Sequence, residues 1–128
     1  MRSAPPGSRR GSSRDASTAG RGRRAERRAA LHYLVRGYRI LARNAWAGGY
    51  EVDLVVRRGR RLVFCEVKEK SGSRFGDPLE MVTEEKQRRL RRAAEAWLAA
   101  HPDLHELEVR FDVVAVRLDG VERLTHAF

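Results

Sequence analysis

Two apolar segments constrain this chain most: Tyr50-Glu51-Val52-Asp53-Leu54-Val55-Val56 and Leu62-Val63-Phe64-Cys65-Glu66-Val67-Lys68. Runs so rich in Val, Leu and Phe fit strands buried on both faces of a sheet, and such a sheet needs a covering layer on each side. Between the segments, Gly59-Arg60 fits a two-residue turn of the Gly-first kind. That turn sets Asp53 opposite Glu66 and Glu51 opposite Lys68, with cross-strand Cβ atoms about 5 Å apart. Residues two apart on a strand share a face, which groups Glu51 with Asp53 and Glu66 with Lys68. The expectation is three carboxylates and one ammonium on a single patch.

The remaining elements can be read around this pair. Residues 23–36 carry a helical apolar stripe, Ala30, Leu31, Leu34 and Val35, and Gly37 stands where a C-terminal cap belongs. Strands are expected over 38–44, 50–58 and 61–68, followed by a polar loop over 69–77. Trp46 falls in an Ala- and Gly-rich loop between the first two strands. A second helix is expected from 78 or 83 to 100, with Leu90, Ala93, Ala94, Trp97 and Leu98 as its buried stripe. Two strands, 107–118 and 121–128, end the chain, joined through Asp119-Gly120. The expected fold is α/β, a mixed five-stranded sheet with a helix on each face, in the order α-β-β-β-α-β-β.

Charge narrows the partners. The formal net charge is +10, and residues 1–24 hold seven Arg against Asp15 alone, +6, which leaves +4 for the rest. Residues 1–22, rich in Gly, Ser, Pro and Arg, have almost nothing to bury and read as a disordered tail, either a phosphate-binding arm or an incidental extension. Residues 23–128 then form one domain. Cys65 is the single cysteine, so no intrachain disulfide and no Cys-based zinc site is available. No apolar run approaches a membrane span, and the start lacks the apolar stretch of a secretion signal. The expectation is a cytoplasmic protein that binds a polyanion and no membrane.

Carboxylates packed side by side in apolar strands repel one another and lose water together. A hard dication relieves this: Mg²⁺, or Mn²⁺ in its place, takes one or two carboxylates and leaves positions open for phosphate and water. Lys68 is placed to hold or help deprotonate an attacking water and to offset phosphate charge. Salt bridges within the strand pair, Glu51 with Lys68 and Asp53 with an Arg, account for the same residues without a metal.

The spacing from Asp53 to Glu66-Val67-Lys68 resembles the D…ExK signature of the restriction-endonuclease-like PD-(D/E)xK nucleases. Further motifs fall in the same order: Glu26, Gly37-Tyr38-Arg39-Ile40-Leu41-Ala42-Arg43-Asn44, Tyr50-Glu51-Val52-Asp53-Leu54, Phe75-Gly76-Asp77-Pro78, Lys86 with Arg89-Leu90, and Arg110-Phe111-Asp112-Val113-Val114. Together they resemble the YraN family of small bacterial proteins, over residues 26–116. The resemblance implies a nuclease fold arranged like that of archaeal Holliday-junction resolvases. It implies Asp53, Glu66 and the Val67 carbonyl as metal ligands, with Lys68 on the water and Glu51 beside them. Glu26, on the helix the resemblance places near the site, adds a carboxylate or contacts metal-bound water, or else pairs with a neighbouring Arg. Tyr50 stands where the family usually has Gly, and Glu69-Lys70 where it often has Thr-Arg.

Arg43 and Asn44, at the end of the first strand, are candidate phosphate contacts. So are Lys86, Gln87 and Arg89 near the start of the second helix, although a solvated helix face balanced by Glu84, Glu85 and Glu95 would read the same way. Asp112 is read as a structural acid, and Cys65 as a core residue. The leading expectation is a Mg²⁺- or Mn²⁺-dependent nuclease on DNA, branched or structured DNA included. A catalytically inactive nucleic-acid-binding protein of the same fold, or a small basic RNA- or protein-associated protein, are the alternatives. A resolvase-like role would require a symmetric homodimer.

Overall fold

Helix α1 (Ala16–Leu34) is closed by Gly37, whose φ of 89° lets the Tyr38 amide reach back to the Tyr33 carbonyl at 3.0 Å. The structure is a computed structural model and describes residues 16–70 and 82–128, with side chains in α1 from residue 23. The described part of the helix already includes Ala16, ahead of the expected residue 23. The expected tail up to residue 15 and the motif Phe75-Gly76-Asp77-Pro78 lie outside the described residues.

Five strands follow the expected order: β1 (Arg39–Ala47), β2 (Tyr50–Arg58), β3 (Arg61–Glu69), then helix α2 (Glu84–Ala99), β4 (Glu108–Arg117) and β5 (Gly120–Leu124). A short 3₁₀ turn, Pro102–Leu104, links α2 to β4. The sheet is mixed and runs β1-β2-β3-β4-β5, with β3 and β4 parallel and the other neighbours antiparallel. The parallel step needs a crossover, and α2 supplies it.

Each face is covered by one helix. Ala25, Ala29, Ala30 and Tyr33 of α1 pack on Leu54, Val56, Val63, Cys65, Val114 and Val116. Leu90, Ala93, Ala94 and Trp97 of α2 pack on Val52, Val55, Leu62 and Phe64. Cys65 is fully buried, as expected. Asp112 is the structural acid that was anticipated: it is 2% exposed, accepts from the Tyr33 hydroxyl at 2.7 Å and the His126 amide at 3.0 Å, and lies 3.9 Å from Arg123.

The first hairpin departs from expectation. β1 continues to Ala47, so Trp46 lies in a strand opposite Glu51 and not in a loop. The turn is Gly48-Gly49, with φ of 59° and 80°, the left-handed pair a tight two-residue hairpin requires. Gly48 also touches α2: a Cβ there would lie 2.9 Å from the Arg92 carbonyl oxygen. That contact seats the β1-β2 hairpin against the second helix.

Candidate active site

The Gly59-Arg60 turn sets the anticipated β2-β3 register, from Arg58↔Arg61 to Leu54↔Cys65. There the backbone pairing stops. The next amide of β3 that could serve β2, that of Val67, donates instead to Oδ2 of Asp53 at 2.7 Å. Asp53 therefore replaces a ladder bond with its own carboxylate, and the two strands part around it.

A matched irregularity in β1 and β2 produces this placement. Val52 and Val55 face α2 while Leu54 and Val56 face α1, so alternation breaks at Asp53. Across the ladder, Ala42 and Ala45 face α2 together, so alternation breaks at Asn44 as well. Asn44 has a φ of 51°, a left-handed conformation that Asn tolerates better than most residues. The expected sharing of one face by Glu51 and Asp53 does not survive: Glu51, exposed and opposite Trp46, lies on the α1 side. It does not face Lys68, and among the described residues no three His, Cys, Asp or Glu side chains converge as a ready-made metal cage.

The pair that does converge is Asp53 and Glu66. Glu66 is 6% exposed at the α2 face, and its Oε2 lies 3.4 Å from Nζ of Lys68. Burial, and after it the Glu66 charge, push the Asp53 carboxyl up to about 8, against the pull of the Val67 amide. Lys68 loses some basicity to burial, but its hydrogen bond to Lys86 and the nearby Glu66 and Asp53 carboxylates raise it overall. Lys86 is held below the ordinary lysine range, first by Lys68 and then by burial. Thr83 places it: as N-cap of α2 its hydroxyl accepts the Lys86 amide at 3.2 Å.

Tyr50 enters the cleft. Burial, followed by the Glu66 and Asp53 charges, pushes its phenol up to about 12. Glu26 sits on α1 at the other face, half-buried; burial raises its carboxyl against the pull of Asn44, and the Glu51 charge adds to the rise. Of the expected phosphate contacts, Arg43 is exposed, Arg89 pairs with Glu85 at 2.6 Å on the helix surface, and the Gln87 amide donates to the Val82 carbonyl at 3.2 Å, which ties it to the helix start.

One buried carboxylate, Glu66, one partly buried carboxylate, Asp53, the backbone of Val67 and two lysines thus meet where β2 and β3 separate. The donors are hard oxygens of the kind Mg²⁺ prefers, and two carboxylates match the small number it takes when phosphate completes its shell. The residues fit a Mg²⁺ or Mn²⁺ site on this chemistry.

A mixed five-stranded sheet with a helix on each face, opened at one end around an acid pair and a lysine pair, defines a small α/β protein with an acidic cleft. A family model described as uncharacterised protein family UPF0102 matches residues 25–116, which include both helix-packed faces and every residue of the cleft. A UPF0102 protein of Frankia casuarinae is 50% identical over 95 residues, 74% of this chain and 80% of that protein. One from Dechloromonas aromatica is 41% identical over 112 residues, 88% and 91% of the two chains, and one from Chlorobium phaeobacteroides is 44% identical over 117, 84% and 92%. The chain belongs to the UPF0102 family, the YraN family of the sequence comparison. No helix among the described residues is long and apolar enough to cross a membrane.

Proposed function

We propose that the cleft is the active site of a metal-dependent nuclease that hydrolyses phosphodiester bonds in DNA. The observation that carries this reading is Asp53 itself: a carboxyl pushed up to about 8 by desolvation beside the buried Glu66 carboxylate, with the Val67 amide fixing its orientation. Such a group is destabilised unless something neutralises it, and perturbed acids in clefts mark functional sites. Asp53, Glu66 and the Val67 carbonyl would hold Mg²⁺ or Mn²⁺, which supplies Lewis acidity toward a phosphate oxygen.

The chain's own residues do the rest. The Val67 amide pins one Asp53 oxygen, and among the described residues no hydrogen bond holds the other. Glu66 holds the Lys68 ammonium over the same face. Lys68, kept cationic, donates to the attacking water and to the non-bridging phosphate oxygens, whose charge grows as water attacks phosphorus in line with the departing oxygen. Lys86 adds a second donor from α2, and exposed Arg43 contacts a flanking phosphate. Glu51 and Glu26 act from the α1 side on the charge of the site and not as ligands. A net charge of +10 favours DNA over uncharged substrates. Action on branched DNA would require a symmetric homodimer, because two strands must be cut in concert.

One observation favours a second reading, nucleic-acid binding without cleavage. The Tyr50 phenol lies close enough to Glu66 for that carboxylate's charge to help raise it, which sets a phenol beside a ligand that a metal would use. Incubation with supercoiled plasmid in Mg²⁺, Mn²⁺ or EDTA separates the two: metal-dependent nicking supports the nuclease, and binding without nicking in every condition supports the second.

A further inference from the structure

Trp46 is, among the described residues, the exposed large aromatic side chain that neither the core nor the cleft uses. It is 55% exposed on β1, an edge strand of the sheet, and among the described residues no ring or cation stacks on it. The other tryptophan, Trp97, is 7% exposed and packs edge-on against Phe64 and flat on His101. An indole left half in water on a strand contributes little to folding, and its position is fixed by pairing: Trp46 lies opposite Glu51, two residues from Asp53.

The surroundings of Trp46 are those of a nucleic-acid contact. Arg43 is on the same strand and the same side of the sheet, since its partner Leu54 packs toward α1. Arg43 and Arg23 both act on the charge of Glu26, so both guanidinium groups lie within electrostatic range of the α1 side of the sheet. A flat aromatic face flanked by cations is the arrangement that binds single-stranded nucleic acid, with the ring taking a base and the cations taking the backbone. In a blunt duplex every base is stacked and paired, and the indole has nothing to receive.

We propose that Trp46 is a stacking platform for an unpaired base, and that the preferred nucleic acid carries a single-stranded stretch, as at a fork, flap or gap, beside the phosphate held in the cleft. This rests on the nucleic-acid reading of the cleft given above. Arg43 anchors the backbone next to the stacked base, and the strand passes over the open end of the sheet from Trp46 to Asp53.

The test uses the full chain and three fluorescently labelled probes: oligo(dT), a blunt duplex and a forked duplex, in EDTA so that no cleavage intervenes. Wild type, Trp46→Ala and Trp46→Phe are compared by anisotropy, and wild type and Trp46→Phe by quenching of intrinsic tryptophan emission with unlabelled oligo(dT). The expected result is that oligo(dT) quenches the wild-type emission and leaves that of Trp46→Phe nearly unchanged. Trp46→Ala should weaken oligo(dT) and fork binding by about tenfold with the duplex altered less than about twofold, and Trp46→Phe should keep most of the affinity. Trp46→Ala binding all three probes like wild type, or losing the duplex equally, overturns the stacking role while leaving the cleft's nucleic-acid reading intact. Failure of the wild type to bind any probe overturns both.

Discussion

The amide of Val67 donates to Asp53 Oδ2 at 2.7 Å at the point where backbone pairing between β2 and β3 ends. One hydrogen bond therefore does two things. It satisfies a strand amide that the parting of the strands would orphan, and it fixes the carboxylate on which the site depends. Losing it would cost more than one bond, since a buried donor would be left without a partner.

Asp53 makes stability depend on pH in a definite direction. Its carboxyl, pushed up to about 8 in the folded chain, titrates near 3.9 when unfolded. Between these values the folded chain binds more protons than the unfolded one, so this contribution is fully present below about pH 4 and is lost as pH rises toward 8. Urea denaturation in EDTA should show a loss of about 3–4 kcal/mol between pH 5 and pH 8 that is absent in Asp53→Asn, whose amide oxygen still accepts from Val67. At pH 8, saturating Mg²⁺ should stabilise wild type and leave Asp53→Asn little changed. An equal pH slope in both proteins would contradict the burial of this group.

Asp112 should behave in the opposite way, as an acid for structure alone. Asp112→Ala strips a partner from the buried Tyr33 hydroxyl, the His126 amide and Arg123 together. A loss of about 3 kcal/mol is expected in chemical denaturation, with metal affinity measured below the unfolding range unchanged. A loss of metal affinity in folded Asp112→Ala would place this residue in the site.

The hairpin glycines separate two causes of strain. Both Gly48 and Gly49 have left-handed backbones, but only at Gly48 would a Cβ meet backbone, 2.9 Å from the Arg92 carbonyl oxygen. Gly49→Ala should cost about 1 kcal/mol from backbone strain, whereas Gly48→Ala should cost about 2–3 kcal/mol because the hairpin must also lift from α2. Thermal melts of the two variants side by side check the order. Equal costs would mean that the seating on α2 contributes nothing.

Much of this arrangement could be read before the structure, and the parts that could not share a physical reason. The register of β2 and β3 depends on a two-residue turn, a local feature, and the apolar stripes that choose a sheet face are local too. The parting at Asp53 is not: it depends on an amide fourteen residues away and on a left-handed Asn44 in the neighbouring strand. Strict alternation, which grouped Glu51 with Asp53, holds only while strands stay regular, and sites tend to sit where they do not. The extension of β1 to Trp46 did have a legible signal, the Gly48-Gly49 pair between two strand-like segments. The earlier start of α1 had none, since 16–22 carry no apolar stripe.

The most direct measurement is single-turnover cleavage of plasmid, single-stranded and four-way-junction DNA by wild type, Asp53→Ala and Lys68→Ala, in Mg²⁺, Mn²⁺ and EDTA, with DNA binding measured on the same samples. Wild type should cleave only with a metal, and cleavage should fall at least about a hundredfold in both variants while folding and binding persist. Undiminished cleavage in Asp53→Ala, or binding without cleavage by wild type under every condition, would contradict the nuclease reading.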